Sequence, residues 1–286
     1  TEKLEAVCEK LHGTEIFFAG KSVGATEQAV LTAVSASGKT RIYNCAKEPE
    51  IIWLCRFLKK MGASIQGEGT EEILIEGGKI IQGADMQVPP DRIVAGTYLC
   101  AAAATRGRIE IQNPPQGELT AFLEVYRKMG GQYEWNSGKL VADGSRVRFP
   151  VSMTETAAYP GFPTDLQSLL MAVLATIPGK SCILESVFED RFKITGELNR
   201  MGAEIRTEGR KAWIRGTSDL QGGYLQAQEL RGGAALVVAA LAARGESIVE
   251  GYSFICRGYE DIVQDISDLG GKIKKDTGMT TYEYIQ

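Results

Sequence analysis

"FLKKMGASI", residues 57–65, closes an amphipathic run on a glycine and turns into a β-branched segment. The same grammar returns as "VYRKMGGQY" (125–133), "ELNRMGAEI" (197–205) and "DISDLGGKI" (265–273). The first glycines, Gly62, Gly130, Gly202 and Gly270, stand 68, 72 and 68 residues apart. A helix stopped by a residue in the left-handed region explains the signature, because a Cβ is costly there. A second marker keeps the same period. Alanine-rich apolar runs end in glycine and a short β-branched strand at "QAVLTAVSASGKTRIYN" (28–44), "GTYLCAAAATRGRIEIQN" (96–113), "SLLMAVLATIPGKSCILES" (168–186) and "ALVVAALAARGESIVEG" (235–251), with Gly38, Gly107, Gly179 and Gly245 spaced by 69, 72 and 66. Two markers in phase define a four-fold repeat.

Each repeat reads as apolar helix, strand, amphipathic helix, then a hairpin such as "ASIQGEG" (63–69) with "EEILIEG" (71–77), an α/β (α+β) pattern. The first helix is hydrophobic nearly all round and belongs inside a domain; the second has a charged face and covers the outside. If the repeats stack in one sense, the loops before these helices gather at matching ends. Helix N-termini there offer free N–H groups to anions.

With 286 residues and 44% hydrophobic content, the chain can bury substantial cores, and its length favours about two domains. Its longest apolar run, "AALVVAALAA" (234–243), is too short to span a membrane. A net charge of −4 without basic runs argues against a nucleic-acid surface. Six cysteines without C-x-x-C spacing argue against zinc and fit reduced thiols in a cytoplasm, four of them in core-like stretches. His12 is the only histidine, which leaves a Ser-His-Asp or multi-histidine metal mechanism without support. "TEKLEAVCEKLHG" (1–13) lacks the pattern of a signal peptide and suggests a chain that begins partway through a domain.

"FAGKSVGAT" (18–26) contains Gly20-Lys21-Ser22, the tail of a phosphate-binding loop, but Glu15 occupies the place of that motif's first glycine. It reads either as a turn before a helix or as a site for some other phosphate-bearing ligand. Glu48 and Glu50 flank Pro49 at a helix start, where the helix macrodipole alone accounts for them.

Seven motifs run in order along the chain: "SVGAT" (22–26), "AKEPEI" (46–51), "PPDRIVAGTYL" (89–99), "PGFPTDLQ" (160–167), "VFEDRF" (187–192), "ELR" (229–231) and "RGYE" (257–260). In these the sequence resembles the UDP-N-acetylglucosamine 1-carboxyvinyltransferase family, enolpyruvyl transferases of peptidoglycan synthesis. The resemblance implies an inside-out α/β barrel fold in two domains of three related units each, with the active site between them. Residues 1–89 would be the remaining part of the first domain and residues 90–286 the second. It implies transfer of the enolpyruvyl group of phosphoenolpyruvate to the 3'-hydroxyl of UDP-N-acetylglucosamine with release of phosphate, in the cytoplasm, without cofactor or metal.

By the same resemblance Asp165 is the base at the sugar hydroxyl, although an Asp two residues after a proline reads equally as a helix cap. Arg231 and Arg257 are directed at phosphoenolpyruvate, a task suited to the guanidinium fork, and Arg191 is a further active-site arginine. Ser22, Val23, Gly24 and Val187 contact the nucleotide sugar. Lys21 and Glu229 also belong to the substrate-binding set but depart from the family pattern. Lys21 stands one position after the family lysine, where this chain has Gly20, and Glu229 replaces an aspartate.

The family's upstream cysteine loop, its Arg-Pro element and its N-terminal lysine-asparagine pair have no counterpart here, and Cys8 lies in no matching motif. The chain is expected to correspond to the C-terminal two-thirds of a family member, with another segment or self-association covering an incomplete first domain. Two alternatives stay open: a truncated, non-catalytic nucleotide-sugar-binding relative, and a 3-phosphoshikimate enolpyruvyl transferase, a family that lacks "SVGAT" and "FPTDLQ".

Overall fold

Helix Pro49–Lys60 stops at Met61, and Gly62 takes φ 103° in the computed structural model, which describes residues 5, 7–79, 81–275 and, by backbone, 283–285. The corresponding helices Thr120–Lys128, Thr195–Arg200 and Ile262–Asp268 end in the same way, with Gly130, Gly202 and Gly270 at φ 101°, 101° and 89°. The left-handed residue lets backbone N–H groups turn back onto the last carbonyls, as Gly62 N does to Lys59 O and Ala63 N to Leu58 O, both at 3.0 Å.

The four apolar helices are Val23–Ser35, Arg92–Thr105, Gln167–Ala175 and Leu230–Ala242. Each precedes a sheet strand: Gly38–Tyr43, Arg108–Gln112, Gly179–Leu184 and Ser247–Glu250. In the first repeat the sheet order is Glu15–Phe17, Gly38–Tyr43, Glu72–Gly77, Ser64–Gln66, parallel in the first pair and antiparallel thereafter. The third repeat follows the same order with Thr154–Glu155, Gly179–Leu184, Lys211–Gly216 and Glu204–Glu208. So does the fourth with Tyr224–Gln226, Ser247–Glu250, Glu283–Ile285 and Ile273–Lys275. The second has three antiparallel strands, Arg108–Gln112, Lys139–Asp143 and Gln132–Asn136.

The leading parallel strand was not expected from the sequence. At two or three residues it is too short to show an alternating period. It has a clear consequence: two parallel strands need a crossover, and in the first, third and fourth repeats the apolar helix supplies it, which fastens that helix to its own sheet.

The chain forms two units, residues 1–89 with 158–160, and residues 90–157 with 161–286. In the second unit the helices Arg92–Thr105, Gln167–Ala175 and Leu230–Ala242 pack on one another, and every residue of Gln167–Ala175 is buried. The sheets lie outside them, with exposed residues such as Trp213 on their outer faces, so the layering is inside-out as expected. Tyr98, on the first of these helices, donates its hydroxyl to Asp265 in the last repeat. One apolar core runs from Ile93 to Ile266.

In the first unit a separate core of Val30, Ile42, Ile51, Leu58, Ile73 and Ile75 holds helix Val23–Ser35 to its sheet. Leu31, on that helix, is 45% exposed. Cys45, Cys55, Cys100 and Cys182 are buried, whereas Cys8 and Cys256 are exposed. No helix among the described residues is long and apolar enough to cross a membrane.

Candidate functional site

Each loop before an apolar helix faces one local problem, because first-turn N–H groups have no acceptor within the helix. Three of the four loops answer it with a side chain. Ser22 Oγ accepts from Ala25 N at 3.3 Å, and Asp91 Oδ1 from Ile93 N at 2.6 Å and Val94 N at 3.1 Å. Glu229 Oε2 accepts from Arg231 N at 2.9 Å, and its Oε1 from Gly232 N at 2.5 Å. The third loop differs. It enters through Pro163 and the 3-10 turn Thr164–Leu166, where no side chain caps the turn. Asp165, on that turn, directs its carboxylate at two arginines instead.

Asp165 Oδ1 accepts from Arg191 Nη2 at 3.2 Å. Its Oδ2 accepts from Arg231 Nε at 3.3 Å and Nη2 at 3.2 Å. One carboxylate thus serves two guanidiniums, so neither arginine has it to itself. Arg231 is largely buried, and its Nη1 is buried without a protein acceptor. Gly258 makes room for it, since a Cβ there would lie 3.3 Å from Nη1 and 2.9 Å from Leu230 Cδ2. Tyr259 is buried beside this pair, with its hydroxyl 2.7 Å from Thr97 Oγ1. Burial pushes the Tyr259 phenol up, and the Thr97 hydrogen bond, the Arg231 charge and the contact of the Arg231 guanidinium with the phenol oxygen partly oppose the rise.

Arg191 follows Asp190, which holds φ 54°, and stacks over the Phe188 ring at 4.7 Å. Val187 is 39% exposed on the same loop. Arg257 is exposed next to Gly258 and makes no ion pair among the described residues. Asp165, Arg191, Arg231 and Glu229 thus meet in the second unit, but the Glu229 carboxylate is engaged in capping its own helix. The sequence reading passed over Thr164, Glu185, Phe188 and Tyr259. A glutamate closing the apolar strand "SCILES" (181–186) was a usable signal, because a carboxylate in such a place is buried only with partners.

The first unit carries the second group. Ser22 opens helix Val23–Ser35, and its carbonyl accepts from Thr26 N at 3.0 Å and Thr26 Oγ1 at 2.8 Å. Nothing lies within 4 Å of where a Gly24 Cβ would stand, so the first turn is open beside Val23 and Gly24. Lys21 Nζ lies 2.8 Å from Glu71 Oε1, and Lys47 Nζ lies 2.9 Å from the same oxygen. Hydrogen bonds from Lys21 and then Lys47, together with their charges, hold the Glu71 carboxyl down to about 2.

A carboxylate with a depressed pKa contributes stability above its ordinary value of 4.5, and that contribution fades as pH falls towards 2. Replacing Lys21 or Lys47 with methionine is therefore expected to raise the Glu71 midpoint towards 4.5, read from its 13C carboxylate shift. An unmoved midpoint in both variants would refute the pairing.

The chain belongs to the EPSP synthase (3-phosphoshikimate 1-carboxyvinyltransferase) family, whose profile matches residues 2–266. Within it, the chain is 44% identical over 275 residues to UDP-N-acetylglucosamine 1-carboxyvinyltransferase 2 of Carboxydothermus hydrogenoformans, covering 95% of this chain and 65% of that protein. It is also 44% identical over 264 residues to the enzyme of the same name from Caldanaerobacter subterraneus subsp. tengcongensis, covering 92% and 63%. The chain thus spans a little under two thirds of these relatives. The enolpyruvyl transferase NikO from Streptomyces tendae shares the fold at TM-score 0.83 and 24% identity, over 92% of this chain and 65% of that one. EPSP synthase from Acinetobacter baumannii does so at TM-score 0.69 and 19% identity, over 91% and 63%.

Proposed function

We propose that this chain carries the larger part of an enzyme that transfers the enolpyruvyl group of phosphoenolpyruvate to the 3'-hydroxyl of UDP-N-acetylglucosamine, releasing phosphate, in the peptidoglycan pathway of the cytoplasm. One observation carries the reading. The third loop departs from the capping used by the other three, and its carboxylate sits between Arg191 and Arg231, the latter with a buried N–H that lacks a protein acceptor. A buried donor of this kind is costly unless a ligand oxygen engages it.

In this reaction the sugar oxygen bonds to C2 of phosphoenolpyruvate while C3 gains a proton, giving a tetrahedral ketal. The C2–O bond to phosphate then breaks and C3 loses a proton, restoring the enol. Arg231, with Arg191 and Arg257, stabilises the carboxylate and the departing phosphate. As the arginines turn to these anions they release an oxygen of Asp165, which accepts the proton of the 3'-hydroxyl. Ser22, Val23 and Gly24, at the open helix start, hold the diphosphate with Lys21, and Val187 contacts the nucleotide sugar. Residues 1–89 act as the remaining part of a first domain and 90–286 as the second.

The expected result is phosphate release from phosphoenolpyruvate that depends on UDP-N-acetylglucosamine, measured on the chain and on any longer product of its gene. Release with shikimate 3-phosphate instead would assign the other branch of the family. A second reading, a non-catalytic binder, draws on the occupation of both Asp165 oxygens by guanidinium groups. Calorimetric binding of UDP-N-acetylglucosamine without phosphate release would establish it in place of the first.

A further inference from the structure

We propose that Glu185 is a positioning residue for Asp165, acting by tying the loop that carries Asp165 to the loop that carries Arg191. Glu185 follows strand Gly179–Leu184 and is 1% exposed. Its Oε2 accepts from Thr164 Oγ1 at 2.9 Å, next in sequence to Asp165. Its Oε1 accepts from Val187 N and Phe188 N, each at 2.9 Å. The Phe188 ring supports the Arg191 guanidinium at 4.7 Å, and Arg191 Nη2 reaches Asp165 Oδ1 at 3.2 Å. These contacts form a closed circuit: Glu185, Phe188, Arg191, Asp165, Thr164, and back to Glu185.

A buried carboxylate is retained only when its oxygens are satisfied. Here its three hydrogen-bond donors are two main-chain N–H groups and a hydroxyl, so the carboxylate acts as an acceptor joining two segments rather than as half of an ion pair. Two oxygens are needed because the two loops approach from different sides. Main-chain N–H donors also fix the backbone of the Arg191 loop, which a side-chain contact would not do. The result is that the separation of Asp165 from Arg191 is set by a residue that touches neither.

The inference rests on the proposed reaction, and its test separates the two. In steady-state kinetics on the full chain, Glu185→Ala is expected to lower kcat by about 100-fold, the scale of a misplaced reacting group. Thr164→Val, which cuts one arm of the circuit and leaves both main-chain contacts in place, is expected to lower kcat by less, with KM little changed. Glu185→Gln should recover most of the rate, since its amide oxygen still accepts both N–H groups and its NH2 can donate to Thr164 Oγ1. In an Arg191→Ala background Thr164→Val should add nothing, because both act through one circuit.

Rotation of the Arg191 guanidinium, followed by 15N NMR, reads the ion pair without turnover. It should be slow in the wild type and Glu185→Gln, and fast in Thr164→Val and Glu185→Ala. Slow rotation in Thr164→Val, or a loss of kcat there that is fully additive with Arg191→Ala, overturns the proposal. An inactive wild type with the expected NMR pattern overturns the reaction and leaves the positioning role standing. If Glu185→Ala does not fold, Thr164→Val alone decides.

Discussion

Replacing Arg231 with alanine is expected to lower kcat/KM for enolpyruvyl transfer by roughly 100- to 1000-fold, the range found when a preorganised donor to developing charge is removed. Two roles go at once. Arg231 holds Asp165 Oδ2 through Nε and Nη2, and it carries the buried Nη1 without a protein acceptor. Arg231→Lys separates charge from geometry. A lysine keeps the positive charge but cannot grip Asp165 with one edge and present a second donor to a ligand, so it should restore only a small part of the rate. Steady-state kinetics on variants whose circular dichroism matches the wild type would check this. A loss of less than about tenfold in Arg231→Ala would remove Arg231 from the site.

Leu236→Ala is expected to destabilise the second unit by about 2–5 kcal/mol, the cost of a cavity where neighbours cannot collapse. Leu236 is fully buried on helix Leu230–Ala242, which packs against both other central helices. Leu31→Ala, the same substitution on the apolar helix of the first unit, should cost well under about 2 kcal/mol, because Leu31 is 45% exposed and loses less on truncation. Urea unfolding followed by circular dichroism reads both, each unit's transition being fitted separately. Equal losses would mean that the two helices are buried alike.

The repeat was legible because its markers are local. A Met-Gly or Leu-Gly pair ends a helix through the φ of one residue, and the four helices show it at Gly62, Gly130, Gly202 and Gly270. The burial of Cys45, Cys55, Cys100 and Cys182 followed from the apolar runs around them. What stayed hidden depends on contacts far apart in the chain. Lys21 gives no sign that its partner is Glu71, fifty residues on. Nothing near "ELR" says that Glu229 would serve as the cap of its helix, whereas Asp165, which reads as a cap, would not. Asp165 and Arg231 meet because they stand at matching places, where the apolar helices of successive repeats begin, and that much the spacing anticipated; Arg191 comes from the other loop of the third repeat. Glu185 was passed over because a buried carboxylate looks, in one dimension, like any other strand end.

The contact of helix Arg92–Thr105 with both Gln167–Ala175 and Leu230–Ala242 changes how the second unit should respond to damage. A linear stack of repeats has ends, and its stability is a sum over neighbours in line. These three repeats have no terminal member, since the first also touches the last, through the helices and through Tyr98 and Asp265. Losing any one repeat would remove two interfaces, so the unit should melt as a single cooperative body rather than fray. Thr97, on the first helix, steadies Tyr259 beside Arg231 in the fourth repeat. A change early in the sequence can therefore reach the arginine without touching it.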